Sequence, residues 1–274
     1  MNAAIVGCGY VGTAVARHWQ AQGLSVLATT TRPDRVDELS AVADSVAVLR
    51  GDELEKVRSH LADRQVVLVC VGSKRGASYG DTYLKTAQTL AQVLPESGIQ
   101  QLIYTSTCSV YGQHQGAWVT EVTPAAPTTE NGEIIAATEQ TLLSVDTDTL
   151  SQRVCILRLG GIYGPGRTLE NIYGRIAGTT RAGSGAESSN WVHLEDIVSA
   201  IDWVRQHRLG GLYNLVQDEI LPARELVDKV CRQHGLAAVT WDPAQPSGRA
   251  YNARVSNAKL KATGYRFIRP SFQL

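Results

Sequence analysis

Ala3-Ala4-Ile5-Val6-Gly7-Cys8-Gly9-Tyr10-Val11-Gly12 opens the chain, and its reading decides the fold. Four apolar residues form a short strand pattern, and G-x-G-x-x-G follows at once. Val11, Ala14, Val15 and His18 then recur at helical spacing as far as Gly23, a helix stop. The glycines therefore sit where a strand turns into a helix, the context in which this motif cradles a pyrophosphate. Gly7 permits the tight turn. Gly9 removes a side chain so that backbone N–H groups can approach the anion, and Gly12 lets the helix lie close on the strand. The anion then rests on the positive end of the helix.

Working outward, the first half alternates strand and helix. Strand patterns fall at residues 25–29, 46–49, 65–71, 102–105 and 154–157. The one at 65–71 carries an unbroken apolar run (Val66-Val67-Leu68-Val69-Cys70-Val71), as a parallel strand covered on both faces should. Leu84, Ala87, Ala91 and Leu94 make a helical stripe that stops at Pro95, and another helix runs from Pro127 to about Val145. This alternation implies an α/β fold, a Rossmann-type doubly wound parallel sheet. From residue 164 to 190 the pattern lapses into Gly, Ser, Thr and Arg, read as loop and short helix. A helix resumes at Glu195, a strand at 212–216 and a helix at Pro222, which Gly235 ends. The last forty residues read as polar and irregular. The expected organisation is a dinucleotide-binding domain at 1–163, completed by about 192–216. Residues 164–191 and 217–274 then form a small C-terminal substrate-binding lobe.

The chain has 274 residues and a formal net charge of zero. With no basic patch or charge run, nothing points to nucleic acid or an acidic membrane surface. No apolar run approaches the roughly 20 residues that span a bilayer. A strand begins almost at Met1, which leaves no room for a signal peptide, so a cytoplasmic protein is expected. Cys8, Cys70, Cys108, Cys155 and Cys231 form no C-x-x-C pair, and four of them lie in or beside predicted strands as small buried hydrophobes; the six histidines have no metal spacing, so no metal site is expected.

An acidic residue usually ends strand two of such a fold and binds the ribose 2′-OH. Here Thr29-Thr30-Thr31-Arg32 stands in that place, with no carboxylate before Asp34. Arg32, with Arg35 nearby, suits a 2′-phosphate, and Thr30 and Thr31 can donate hydrogen bonds to it. NADP is therefore expected ahead of NAD. Asp52, after strand three, is placed to meet the adenine. Val71-Gly72-Ser73-Lys74 and Thr105 lie at carboxyl ends of strands, where ligands of open α/β sheets bind. The expected cofactor set is Gly7, Gly9, Tyr10, Val11, Gly12, Thr30, Thr31, Arg32, Asp52, Val71, Gly72, Ser73, Lys74 and Thr105.

Further stretches carry a resemblance. Leu102-Ile103-Tyr104-Thr105-Ser106-Thr107-Cys108-Ser109-Val110-Tyr111-Gly112 is similar to the strand-five and "SVYG" segment of the extended short-chain dehydrogenase/reductases. That group includes the NAD-dependent epimerase/dehydratase family. Arg158 through Tyr163-Gly164-Pro165-Gly166-Arg167 resembles its "YGPG" stretch. Trp191-Val192-His193-Leu194-Glu195-Asp196 resembles "IHVDD", and Tyr213-Asn214-Leu215 resembles "YNV". The resemblance implies hydride chemistry on a small-molecule substrate. It also implies a homodimer built from the helices at about 81–95 and 132–145.

The departures bear on mechanism. Val6 stands at the first glycine of the family's G-x-x-G-x-x-G. The family's proton-transfer pair lies in P-x-x-x-Y-G-x-x-K-x-x-x-E, and this chain keeps Pro127, Gly132 and Glu139 in register. Asn131 takes the tyrosine's place and Ile135 the lysine's. An amide and a hydrocarbon cannot transfer a proton as a phenol with a depressed pKa does. Thr107 matches the residue that hydrogen-bonds the substrate oxygen, and Asn131 can add a second donor, so these two are the expected catalytic residues.

Other groups near the site carry structural expectations. Glu130 and Glu133 complement a helix dipole. Tyr111 packs, His193 holds the turn before its helix, and Glu121 fixes a loop. Arg167, Arg175, Arg181 and Asn190 are expected to face the substrate. Two functions compete: an oxidoreductase or epimerase/dehydratase-like enzyme with a non-standard acid/base, and an inactive NADP-binding sensor or regulatory module.

Overall fold

The structure is a computed structural model and describes residues 1–73, 76, 78–145 and 153–274. Its strands are β1 (Asn2–Val6), β2 (Ser25–Thr30), β3 (Ser45–Val48), β4 (Val66–Val69), β5 (Gln101–Thr107), β6 (Gln113–Val119), β7 (Val154–Leu159), β8 (Gly161–Tyr163), β9 (Thr180–Ala182), β10 (Ser188–Ser189), β11 (Trp191–His193), β12 (Gly211–Leu215), β13 (Leu221–Pro222), β14 (Thr240–Asp242) and β15 (Asn252–Val255). Its helices are α1 (Tyr10–Ala21), α2 (Val36–Ser40), α3 (Leu54–Leu61), α4 (Lys85–Val93), α5 (Glu130–Leu143), α6 (Leu169–Tyr173), α7 (Leu194–Gln206), α8 (Ala223–Gln233) and α9 (Ala258–Ala262). A single π turn, Gly80–Leu84, leads into α4.

Seven strands make one sheet in the order β12-β7-β5-β4-β1-β2-β3. The pairs β1/β2, β1/β4, β2/β3 and β4/β5 are parallel. Chain order reverses at β1, which lies between β2 and β4. That reversal is the switch point at which open α/β sheets bind ligands, beyond the carboxyl ends of the strands. β4 is buried along its whole length, in keeping with its unbroken apolar run. Beneath one face, Val67, Val69, Leu102 and Tyr104 pack with Leu90 and Val93 of α4 and Leu142 of α5.

Two compact units divide the chain. One comprises Met1–Thr107, Glu130–Arg158 and Val198–Tyr213, and the other Cys108–Thr129, Leu159–Ile197 and Asn214–Leu274. Within the first, Asp202 joins α7 to α1. Its carboxylate accepts from Trp19 Nε1 at 3.2 Å, Gln22 Nε2 at 3.0 Å, Arg205 Nε at 2.8 Å and Gln206 Nε2 at 2.6 Å. Burial works against this charge, but the donors outweigh it and hold the carboxyl below its ordinary range.

The second unit corrects the reading of the chain's end. Residues after 235 are not irregular: β14 pairs with β9, and β15 pairs with β6, a strand absent from the sequence reading. Asn190 does not face a ligand. It is 2% exposed, donates to the Ala253 carbonyl at 2.9 Å and accepts from Val255 N–H at 3.0 Å, so it secures β15. Glu121 accepts from Asn214 N–H at 2.8 Å, the buried Tyr111 hydroxyl donates to Asn214 Oδ1 at 2.7 Å, and His193 Nδ1 accepts from Glu195 N–H at 3.2 Å. These three groups therefore do structural work, as their sequence context suggests. Asp196, fully buried, accepts from Tyr265 Oη and from the N–H groups of Ile268 and Arg269, which fastens the C-terminal segment.

Candidate functional site

The turn from β1 into α1 is built from glycines that cannot be replaced freely. Gly7 has φ +87°, and a Cβ there would lie 2.7 Å from Val71 Cα in the segment after β4. Only glycine meets both conditions without strain. Its N–H donates to Thr29 Oγ1 at 3.1 Å, and Cys8 N–H donates to the Thr29 carbonyl at 2.8 Å, so β2 fixes the turn. At Gly12 a Cβ would meet Cys70 Sγ at 2.9 Å and Ile5 Cγ2 at 3.1 Å, which is why α1 can lie so close to the sheet.

Gly9 is different. It precedes α1 with φ −90°, and a Cβ there would have nothing within 4 Å. Its side-chain absence therefore serves no internal packing. No side chain caps α1, and its first turn holds no acidic residue. The positive end of a twelve-residue helix, with no side-chain cap, thus follows a residue whose missing Cβ leaves clear space. That is the shape and polarity a pyrophosphate requires. Tyr10 is 39% exposed and Val11 buried at the same turn.

Arg35 rather than Arg32 reaches this loop. Its Nη1 donates to the Cys8 carbonyl at 2.6 Å and its Nη2 to Thr13 Oγ1 at 3.3 Å, while Glu38 holds the other edge of the guanidinium. Arg32 is exposed and pairs with Asp34, with its own N–H on Thr30 Oγ1 at 3.1 Å. The three-residue 3₁₀ turn Pro33–Arg35 separates the two arginines and sends their side chains to different partners. Thr31 is exposed, and Asp52 is paired with Arg50. Burial raises the Cys8 thiol to about 11 and pushes the Cys70 thiol well above its ordinary range.

Across the switch point, Thr105 Oγ1 donates to the Val69 carbonyl at 3.4 Å. Gly72 is exposed with open space above it. Ser73 N–H donates to the Tyr83 hydroxyl at 3.1 Å. Lys74 lies outside the described residues. Sequence reading missed Tyr83, which stands one position before the apolar stripe that starts at Leu84.

Thr107 ends β5 and is partly buried. Asn131 lies exposed in the first turn of α5, between Glu130 and Glu133, and Ile135 is 4% exposed one turn on. The retained Glu139 has a definite function in the fold. Its carboxylate takes Arg158 Nη2 at 2.6 Å and Nε at 3.0 Å, and accepts from Ser106 Oγ at 2.5 Å. Arg158 and Glu139 side chains are 6% and 4% exposed. This pair ties the end of β5, and with it Thr105 and Thr107, to α5 and β7.

The comparisons agree with this construction. The model of the NAD dependent epimerase/dehydratase family matches residues 3–215. The chain is 31% identical over 221 residues to protein YeeZ of Escherichia coli (strain K12), covering 77% of this chain and 76% of that one. It is 26% identical over 268 residues to the dTDP-6-deoxy-L-talose 4-dehydrogenase (NAD(P)(+)) of Kitasatospora kifunensis, covering 90% and 83%. The structure of the Thermus thermophilus UDP-glucose 4-epimerase in complex with NAD matches in fold, with a TM-score of 0.79 at 21% identity over 97% of this chain and 94% of that one. With the glycine turn, the switch-point sheet and the Arg158–Glu139 pair in place, the chain belongs to the NAD-dependent epimerase/dehydratase family.

Proposed function

We propose that this chain is a nicotinamide-dinucleotide-dependent oxidoreductase or epimerase/dehydratase-like enzyme. It takes NADP in preference to NAD and acts on a small carbonyl or sugar-type substrate with a non-standard acid/base. The clearance at Gly9, at the start of α1, carries this reading. A Cβ would fit at Gly9 without internal cost, so the glycine serves something outside the fold. In support, the Kitasatospora relative bears NAD(P)(+) in its name, and the Thermus epimerase was solved with NAD. The NADP preference draws on the arginines and threonines after β2, with the Arg35 guanidinium donating to the Cys8 carbonyl and Thr13 Oγ1 at the glycine turn and Arg32, Thr30 and Thr31 the further candidates.

In this reading, Gly7 through Gly12 hold the pyrophosphate, Asp52 borders the adenine, and Val71 through Lys74 with Thr105 follow the dinucleotide toward its reactive ring. The cofactor supplies hydride. Thr107 and Asn131 donate hydrogen bonds to the substrate oxygen and stabilise the charge that grows on it. Residues 164–191 and 217–274 select the substrate, and the helices at 81–95 and 132–145 pair two copies.

Intrinsic fluorescence titration with NADPH and NADH tests the cofactor half. NADPH should bind at least tenfold more tightly, and Arg35→Ala should erase that margin by weakening NADPH alone. Steady NADPH oxidation over a panel of carbonyls and nucleotide sugars tests the enzyme half. A second reading follows from Asn131 and Ile135, which cannot relay a proton: a dinucleotide sensor. Tight binding with no oxidation across the panel would favour it.

A further inference from the structure

The segment that should carry the family's phenol carries an amide, yet a phenol does stand near the carboxyl end of the sheet. Tyr83 lies in the π turn Gly80–Leu84, whose one-residue widening re-aims the side chains at the start of α4. The turn packs against both α4 and α5, the helix of Asn131 and Ile135. The Tyr83 ring leans on Tyr79, with centroids 5.0 Å apart and planes at 43°, and its oxygen accepts Ser73 N–H at 3.1 Å in the loop after β4. Two independent contacts therefore fix ring and hydroxyl.

A phenol oxygen accepts through its lone pairs and donates one proton. The Ser73 N–H occupies the accepting side. Among the described residues no acceptor takes the Tyr83 proton. A partly buried hydroxyl, anchored as an acceptor and unspent as a donor, is arranged to donate to something outside the fold.

We propose that Tyr83 is the hydrogen-bond and proton donor to the substrate's carbonyl oxygen, in place of the phenol that Asn131 replaces. The proposal rests on the reading of this chain as a nicotinamide-dependent enzyme. In the reducing direction the carbonyl carbon accepts hydride from a reduced nicotinamide dinucleotide. The C=O π pair moves onto oxygen, which takes the Tyr83 proton as the phenolic O–H bond breaks. The products are an alcohol, the oxidised dinucleotide and a phenolate, which regains a proton from water. Burial raises the Tyr83 pKa, and the Ser73 contact and Tyr79 modify it less, so the resting group is the protonated donor that this step needs. Facing groups are few. Tyr104 of β5 is buried and neutral, Glu139 of α5 is committed to Arg158, and Asp81 and Lys85 pair with each other on the surface.

The test places 3-fluorotyrosine at position 83 and follows its fluorine resonance against pH, alone, with NADP⁺ and with NADPH. The oxidised ring is cationic and the reduced ring neutral. The proposal predicts that NADP⁺ lowers the phenol's apparent pKa by about one unit or more and that NADPH does not. A phenol that only braces the loop would titrate alike with both. In parallel, Tyr83→Phe should bind NADPH within about twofold of wild type and oxidise it on the best carbonyl of the panel at least about 100-fold more slowly, with KM little changed. Identical titrations with both cofactors bound would overturn the proposal, and so would wild-type turnover in Tyr83→Phe. Failure of the unaltered protein to bind either dinucleotide would remove the parent reading and this one with it, whereas a failure confined to Tyr83 leaves the parent reading standing. The fluorine measurement stands even where Tyr83→Phe folds poorly.

Discussion

Two helix starts in the same unit differ in kind. At α1, Gly7 and Gly12 are demanded by the fold, Gly9 is not, and no side chain caps the helix. At α5 the chain carries Pro127, Gly132 and Glu139 around an exposed amide, Asn131, and a buried hydrocarbon, Ile135. In the proposed function, gripping a dinucleotide and moving a proton are separable: the first rests on backbone clearance and the second on side chains. The scaffold of the second region is intact, since Glu139 still joins β5, α5 and β7.

That scaffold is where the largest effect is expected. Glu139→Gln leaves the Arg158 guanidinium buried without its counter-charge and should cost about 3–5 kcal/mol, read as a lower denaturant midpoint. A loss below about 1 kcal/mol would mean that α5 is held by other means, and the contrast would lose its structural half. Next comes Gly9→Ala. The added methyl meets nothing in the fold, so stability should stay within about 0.5 kcal/mol. NADPH affinity should fall by about 100-fold, near 2.7 kcal/mol, because the methyl enters the space of the pyrophosphate. Unchanged affinity would break the account of α1.

A pH titration of stability sharpens the same side. Asp202, which braces α1, has its pKa lowered by the fold, so its contribution is fully present above the ordinary carboxylate value near 3.9. It is lost as pH falls through the depressed folded-state value. Trp19 fluorescence should report this acid loosening, and Asp202→Asn should flatten that limb of the curve while lowering stability at neutral pH. The smallest effect belongs to Asn131→Ala: NADPH affinity within about twofold of wild type, beside turnover reduced by about tenfold through loss of one donor. A large drop in affinity would show that α5 also holds the cofactor and would blur the comparison.

The sheet and its glycine turn were legible in the sequence because their constraints are local. A positive φ and a close approach leave glycine as the residue, and a doubly covered strand shows as an unbroken apolar run. The choice between Arg32 and Arg35 was not legible, since a short 3₁₀ turn decides which guanidinium folds back on the loop. Tyr83 stands ahead of the stripe that starts at Leu84, in a π turn that residue spacing does not reveal. β6 and β15 were missed because they pair across more than 130 residues and their sequences are polar, with Gly116 and the positive φ of Gln115 inside β6. Asn190 looked like a surface polar residue, and only the returning chain at Ala253 and Val255 shows what it binds.

The most direct test is a crystal structure of the chain grown with NADP⁺. The expected map has the pyrophosphate on the N–H groups that follow Gly9 and the 2′-phosphate within hydrogen-bonding reach of Arg35. A map with no dinucleotide above Gly9 at saturating cofactor would contradict the account.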